Sequence, residues 1–246
     1  MYKAVIIDLD GTTIPNKREG MPSERVINIV KKIKEKAYIS AATGRGINFS
    51  RHIIKVLGLT SPCIISGGTQ IVDPITEKVL WEKTLEKSQV EKIMEIAREY
   101  NYHVFFGDDL EGTPPKHKVV KGEERIVYIV PVTKEDTEIM LLKLKKIPNI
   151  VAHTAISWTP DHFDIHITHY EATKRHALEI LLKMLEVHKD EVVAVGDSNN
   201  DLPLFESAGY KIAMENGSEE LKSKADLVAP SVEDDGLAVV LEKLFT

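Results

Sequence analysis

At 246 residues and 43% apolar content, the chain can form one large domain or two modest ones and can bury a core, which excludes a disordered or fibrous class. A net charge of -6 excludes general attraction to nucleic acid or to an anionic membrane, so any anionic ligand must be held by a local positive site. The single cysteine, Cys63, excludes an internal disulfide, and the chain opens on a strand pattern with no basic leader or membrane-length apolar run, so a cytoplasmic address is expected.

The run "KAVIID" from residue 3 is apolar without alternation, as in a strand covered on both faces, and it ends in "DLDGT" with Asp8 and Asp10. Val26, Ile29, Val30 and Ile33 then keep helical spacing. "AYISAAT" from residue 37 predicts a second strand, closed by Thr43, Gly44 and Arg45, and "PCIISGG" from residue 62 a third. In the middle of the chain, "KVLWEKT", "HVFF", "RIVYIVPV" and "NIVAHTAISW" read as strands. One helix carries Val90, Ile93, Met94 and Ala97, and another spans about Thr137 to Lys146, so a separate α+β insert is expected. "GDDLEGTPPKHKVVKGEE" predicts a mobile loop inside it. Leu178, Leu181, Leu182 and Leu185 resume the helical period, followed by the strands "DEVVAVGD" and "YKIAM" and a closing helix with Leu237, Val240, Leu241 and Leu244. Alternation of this kind implies βαβ units and a parallel sheet.

Alternate residues of a strand share a face, so Asp8 and Asp10 point the same way while Gly11 permits a sharp exit. Ligands of open parallel sheets bind beyond the carboxyl ends of the strands, where this pair falls. Crowded carboxylates raise one another's pKa unless a cation compensates, so the arrangement suits a nucleophile with a proton-carrying partner, a Mg²⁺ site, or both. "VAVGDSNNDLPLF" brings Asp197 and Asp201 to another strand tip, where Ser198, Asn199 and Asn200 also suit a helix cap. Asp8 and Asp197 make a pair of Mg²⁺ ligands of the kind that leaves room for waters and phosphate oxygens. "TGR" at residues 43–45 presents a hydroxyl and backbone N–H groups to a phosphate at a helix N-terminus. "TGRGINF" places Phe49 where a dinucleotide fingerprint needs its last glycine, which excludes that cofactor. His162, His166, His169 and His176 lie close in sequence, but their spacing matches no zinc pattern and structural or solvated histidines are expected.

These motifs together resemble the haloacid dehalogenase superfamily of phosphohydrolases: "DLDGT" is similar to its first motif, Thr43 to its second, Lys174 in "HYEATKRHAL" to its third and "GDSNND" to its fourth. The insert between Thr43 and Lys174 resembles a C2B-type cap and the stretch from Tyr210 to Gly236 the Cof-type, IIB subgroup, while "IHI" before the motif lysine resembles archaeal-type phosphoglycolate phosphatases. The resemblance implies an α/β fold with a Rossmannoid parallel-sheet core over 1–80 and 160–246 and an α+β cap over 81–159. It implies a Mg²⁺-dependent phosphatase acting on a small phosphorylated metabolite, as a monomer or homodimer. Asp8 would be the nucleophile and Asp10 the general acid and base. Asp8, Asp197 and the Asp10 carbonyl would hold the metal, Asp201 would support its outer shell or orient Lys174, and Thr43, Gly44, Lys174 and Asn200 would bind the phosphoryl group. A phosphomutase-type transferase and a non-catalytic phospholigand-binding protein are the alternatives. The carbon-attacking dehalogenases usually lack an aspartate at the place of Asp10, and the ATPase-like members tend to carry threonine there. Two stretches depart from the subgroup's usual Asn-Gly-Ala and Met-Gly-Asn-Ala: Gly67, Gly68, Thr69 and Met214, Glu215, Asn216, Gly217. Both fall where the subgroup contacts substrate or cap.

Overall fold

The computed structural model describes residues 2–17, 19–107, 124–157 and 159–245, with the backbone alone at 156. The chain forms two compact units, Met1–Trp81 with Thr173–Thr246 and, inserted between them, Glu82–Ala172.

The larger unit begins β1 (Ala4–Ile7), α1 (Glu24–Ile33), β2 (Tyr38–Ala41), α2 (Ile47–Leu57), β3 (Cys63–Ile65), β4 (Gln70–Val72) and β5 (Val79–Glu82). The insert follows with α3 (Lys87–Glu99), β6 (His103–Phe106), β7 (Ile126–Thr133), α4 (Lys134–Leu144), β8 (Ile150–Ile156) and β9 (His162–His169). The chain then returns through α5 (Lys174–Leu185), β10 (Val192–Gly196), α6 (Leu202–Glu206), β11 (Tyr210–Met214), α7 (Glu219–Ser223), β12 (Leu227–Ala229) and α8 (Gly236–Phe245).

Five strands form a wholly parallel sheet in the order β12-β11-β10-β1-β2. Its two faces are both buried, which is why its strands are apolar without alternation. Val5, Ile7, Val193 and Val195 pack under α1, α2 and α8, whereas Ala4, Ile6, Val192 and Ala194 pack under α5, α6 and α7. Each isoleucine or valine so buried contributes roughly 1.5–3 kcal/mol over exposure. Polar side chains start the helices by accepting the first free N–H groups: Ser23 from Val26, Thr133 from Asp136 and Thr173 from His176. Thr133 also explains why α4 starts before the apolar spacing alone indicates.

"PCIISGG" forms a strand outside the parallel sheet. Cys63, Ile64 and Ile65 are buried on both sides, hence the unbroken apolar run, but β3 pairs antiparallel with β4 in a three-stranded sheet with β5. Ala42 and Ile64 form a single parallel bridge. β12 is only three residues long and carries no pattern of its own.

In the insert, β6-β7-β9-β8 form an antiparallel sheet, with Val127, Ile129, Ile165 and Ile167 packed against Val90, Ile93, Met140 and Leu144 of α3 and α4. The unit boundaries differ from the sequence expectation of 81 and 160. Residues 160–172 belong with the insert, because β9 is paired along most of its length with β7 on one side and β8 on the other. At the first boundary only Trp81 moves from the expected cap to the larger unit, where it joins Val79 and Leu80 of the same strand. The loop expected over 107–124 lies almost wholly outside the described residues. No helix among the described residues is long and apolar enough to cross a membrane.

Cys63 is fully buried and its Sγ lies 3.4 Å from the Ser61 carbonyl oxygen; burial pushes its thiol up to about 12. A thiol of that kind is neither exposed nor ionised at neutral pH. The native protein at pH 8 is therefore expected to leave Ellman's reagent uncleaved while the guanidinium-unfolded chain titrates one thiol. Rapid native labelling would show instead that β3 opens readily.

Candidate active site

Parallel pairing in register brings the tips of β1 and β10 together. Ile7 lies opposite Val195, and the Asp8 N–H donates to the Val195 carbonyl at 3.0 Å, so Asp8 and Asp197 leave the sheet side by side. The chain passes from β1 to β2 on one side and adds β10, β11 and β12 on the other, so the boundary between β1 and β10 is the switch point where open α/β sheets bind ligands.

The turn after β1 fits tightly over Asp197. Gly11 has φ +76°, and a Cβ there would stand 2.3 Å from Asp197 Oδ2, so only glycine combines that conformation with that approach. The next two hydroxyls fix the loop: Thr12 Oγ1 donates to Asp197 Oδ1 at 3.1 Å, and Thr13 Oγ1 donates to the Asp8 carbonyl at 2.6 Å.

Lys174 is the first residue of α5 and is almost wholly buried. Its Nζ donates to Asp8 Oδ1 at 2.8 Å and to Asp201 Oδ1 at 2.7 Å, with Asn200 Oδ1 at 3.5 Å. Asp201 Oδ2 accepts from the N–H groups of Asp197 and Ser198 at 3.1 and 3.2 Å, so one of its oxygens is engaged with Lys174 and the other with the Asp197 loop. The start of α5 is closely approached by Gly68, whose φ is +102° and whose Cβ would lie 2.2 Å from the Thr173 carbonyl carbon. Packing thus requires glycine at 68, where the chain agrees with the subgroup's Asn-Gly-Ala, whereas a Cβ at the departing Gly67 would meet nothing within 4 Å.

The electrostatics follow from burial. Desolvation raises the Asp8 carboxyl well above its usual range, with Lys174 opposing and Asp201 and Asp197 adding to the rise. Burial, then Asp201, raises Asp197 to about 6, against the pull of Thr12 and Lys174. For Lys174 burial pulls downward, but the charges of Asp201 and Asp8 outweigh it and hold the ammonium above its ordinary value. One ammonium among Asp8, Asp197 and Asp201 leaves two negative charges in excess when all are ionised, the charge a divalent cation neutralises. The ligand atoms of these three aspartates lie within 4.8 Å of one another, and the described residues give no hydrogen bond to Asp8 Oδ2 or Asp197 Oδ2. The donor set is all oxygen, as Mg²⁺ prefers.

Asp10 behaves differently. Its carboxylate lies outside this group and is gripped by Arg45, with Nε to Oδ2 at 2.8 Å and a second guanidinium nitrogen to Oδ1 at 2.5 Å. Thr43 is fully buried just beyond β2, its Oγ1 accepting from Arg45 N at 3.1 Å, and a Cβ at the exposed Gly44 would meet nothing within 4 Å. Asn200 Oδ1 also accepts from Ser198 Oγ at 2.8 Å.

Among the described residues, none of the four histidines joins a metal-type cluster. His166 packs edge-on against Tyr128 and His153, and burial followed by the neighbouring His153 lowers it to about 4. His162 Nδ1 lies 2.7 Å from the Pro160 carbonyl, His169 Nδ1 accepts from Glu171 N, and His176 Nδ1 lies 3.0 Å from Thr173 Oγ1. The sequence reading missed Thr12, Thr13 and the Arg45–Asp10 pair, all inside motifs it had noticed. It named Asn216 only as part of a stretch expected to meet substrate or cap and missed that its Nδ2 donates to the Gly11 carbonyl at 2.8 Å, across most of the chain's length. No local signal marks that contact.

The family model described as haloacid dehalogenase-like hydrolase matches residues 5–125 and 113–241. The chain belongs to this family of haloacid dehalogenase-like hydrolases. It is 27% identical to a phosphoglycolate phosphatase of Methanosarcina acetivorans, over 99% of this chain and 96% of that one. It is 22% identical to the 5-amino-6-(5-phospho-D-ribitylamino)uracil phosphatase of Bacillus subtilis, over 98% and 97% of the two chains. Its fold superposes on the phosphatase BT1666 from Bacteroides thetaiotaomicron with TM-score 0.82 at 23% identity, covering 99% and 95% of the two chains.

The raised Asp197 carboxyl has a thermodynamic signature. Its folded value of about 6 lies above the ordinary unfolded value of about 3.9, so the folded state holds the extra proton between them. The associated stability is complete below about pH 4 and is lost as pH rises through 6. In chelator, the unfolding free energy of wild type relative to Asp197→Asn should fall by about 2–3 kcal/mol between pH 4 and pH 7, read by denaturant unfolding. A flat difference would mean that Asp197 titrates as an ordinary carboxylate.

Proposed function

We propose that the protein is a Mg²⁺-dependent phosphatase that hydrolyses a small phosphomonoester through an aspartyl-phosphate on Asp8. The observation that carries this reading is the buried Lys174 bridge between Asp8 and Asp201. It occupies Asp8 Oδ1 and leaves Oδ2 to attack. In the first step a bond forms from Asp8 to phosphorus while the bond to the leaving oxygen breaks, and Asp10 gives that oxygen a proton. In the second step water attacks the phosphorus, Asp10 takes its proton, and the Asp8 carboxylate is released with inorganic phosphate. To act, the Asp10 carboxyl has to free an oxygen from the Arg45 fork.

Lys174, Thr43, the backbone at Gly44 and Asn200 would hold the phosphoryl oxygens, and Asp201 keeps Lys174 aimed at Asp8. Asp8 and Asp197, with the Asp10 carbonyl, would hold Mg²⁺, which supplies charge that keeps the carboxylates ionised and shields the phosphoryl oxygens from an anionic nucleophile. The relatives named for phosphoglycolate and for a ribitylaminouracil phosphate support a small phosphorylated metabolite and differ in the leaving group, so a phosphoglycolate or sugar-phosphate type of substrate is the working class. A non-catalytic binding protein has no use for the nucleophile, the acid and the bridged lysine together.

Phosphate release should be assayed with p-nitrophenyl phosphate, phosphoglycolate and a panel of sugar and nucleotide monophosphates. Release is expected to require Mg²⁺, to vanish in Asp8→Asn and to fall about 10²–10⁴-fold in Asp10→Asn. Exchange of phosphate between sugar positions with little net release would favour a phosphomutase, and binding without turnover would favour the non-catalytic reading.

A further inference from the structure

The loop after β11 ties the two aspartate-bearing loops to each other. Asn216 Nδ2 donates to the Gly11 carbonyl at 2.8 Å, while its Oδ1 accepts from the Val232 N–H at 2.8 Å. Two residues on, the Ser218 N–H donates to the Asp197 carbonyl at 2.8 Å, and Ser218 Oγ donates to Asn199 Oδ1 at 2.5 Å. Gly217 lies between them, where a Cβ would come within 2.6 Å of the Asp197 carbonyl oxygen. One short segment thus grips the Asp8–Gly11 loop with a side-chain amide and the Asp197 loop with its backbone.

We propose that Asn216 is a positioning residue for the divalent-cation site, setting the Asp8 loop against the Asp197 loop without touching the ion. The inference rests on the metal part of the proposed function. Gly11 sits at φ +76° and lacks the side chain that would restrict it, and within its own loop the peptide joining Gly11 to Thr12 is held only by a long bond from the Thr12 N–H to the Leu9 carbonyl at 3.3 Å. Asn216 grips the carbonyl of that peptide, which also carries the Thr12 N–H, and Thr12 Oγ1 reaches Asp197 Oδ1 at 3.1 Å. The amide is itself oriented, because the Val232 N–H settles which end of it is oxygen and which is nitrogen. Outer partners of this kind typically alter metal affinity or activity about 10–100-fold when removed.

The test is Mg²⁺ binding to the full-length protein by titration calorimetry, without substrate, for wild type, Asn216→Ala and Asn216→Asp. The aspartate variant keeps an acceptor for Val232 N–H but turns an oxygen toward the Gly11 carbonyl, so it separates folding from positioning. In both variants the Mg²⁺ dissociation constant is expected to rise about tenfold or more. Asn216→Asp should keep a melting temperature close to wild type in chelator. Its phosphate release from p-nitrophenyl phosphate should need more Mg²⁺ for half-activation, with KM at saturating Mg²⁺ unchanged. A lowered melting temperature with an unchanged Mg²⁺ constant would make Asn216 merely structural and overturn the inference. Wild type that binds no Mg²⁺ would overturn the metal reading beneath it as well, which separates the two failures.

Discussion

The buried ammonium of Lys174 organises the rest of the site. Three carboxylates at the tips of adjacent strands repel one another and lose hydration, and burial first, then the neighbouring carboxylates, raise Asp8 and Asp197 above the ordinary carboxylate range. A lysine placed between Asp8 and Asp201, at 2.8 and 2.7 Å, opposes that rise and remains charged because those two carboxylates outweigh its own desolvation. Removing one partner of such a buried pair typically costs about 3–5 kcal/mol, because the survivor stays buried without a counter-charge. Asp201 cannot drift, since its second oxygen is held by the backbone N–H groups of Asp197 and Ser198. Lysine, strand tip and following turn therefore behave as one hydrogen-bonded unit.

That unit depends on close backbone approaches, which depend on the parallel sheet. Pairing of β1 with β10 in register sets Asp8 beside Asp197, and the apolar layers beneath α1, α2 and α8 on one face and α5, α6 and α7 on the other keep the strands from slipping. A slip of one residue would send the buried set of a strand to the opposite face. Gly11 over Asp197, Gly68 against the start of α5, Gly196 against Asp201 and Gly217 against the Asp197 carbonyl are places where a side chain would push this arrangement apart. The hydrophobic core thus supplies rigidity, and the glycines allow charged groups to meet inside it.

The insert is an antiparallel sheet with one face covered by α3 and α4. Its β9 carries His162, His166 and His169, three of the four histidines whose spacing in sequence matched no zinc pattern. Alternation along the strand instead sends Ile165 and Ile167 into the core, while His166 packs between Tyr128 and His153 on the neighbouring strands. Nearness along the chain did not become nearness of ring nitrogens. The same strand moves the unit boundary, because backbone pairing on both edges binds residues 162–169 to the insert more firmly than any compositional change would indicate.

From the sequence alone, the alternation of apolar runs and helical periods determined an α/β fold, and the placing of Asp8, Asp10, Asp197 and Asp201 at strand ends determined which carboxylates could meet. Both depend on short-range rules, since the periods of helices and strands and the direction of parallel strands need no knowledge of distant partners. The membership of β3 in a separate antiparallel sheet, the diversion of Asp10 to Arg45, the capture of Lys174 by two aspartates and the reach of Asn216 to Gly11 were decided only by the tertiary structure. Each is a pairing between segments distant in the chain, selected by which backbone edges and buried charges still lacked partners once the sheet had formed. A side-chain amide or a buried ammonium bonds to whichever group the fold brings within about 3 Å, and no local pattern encodes that distance.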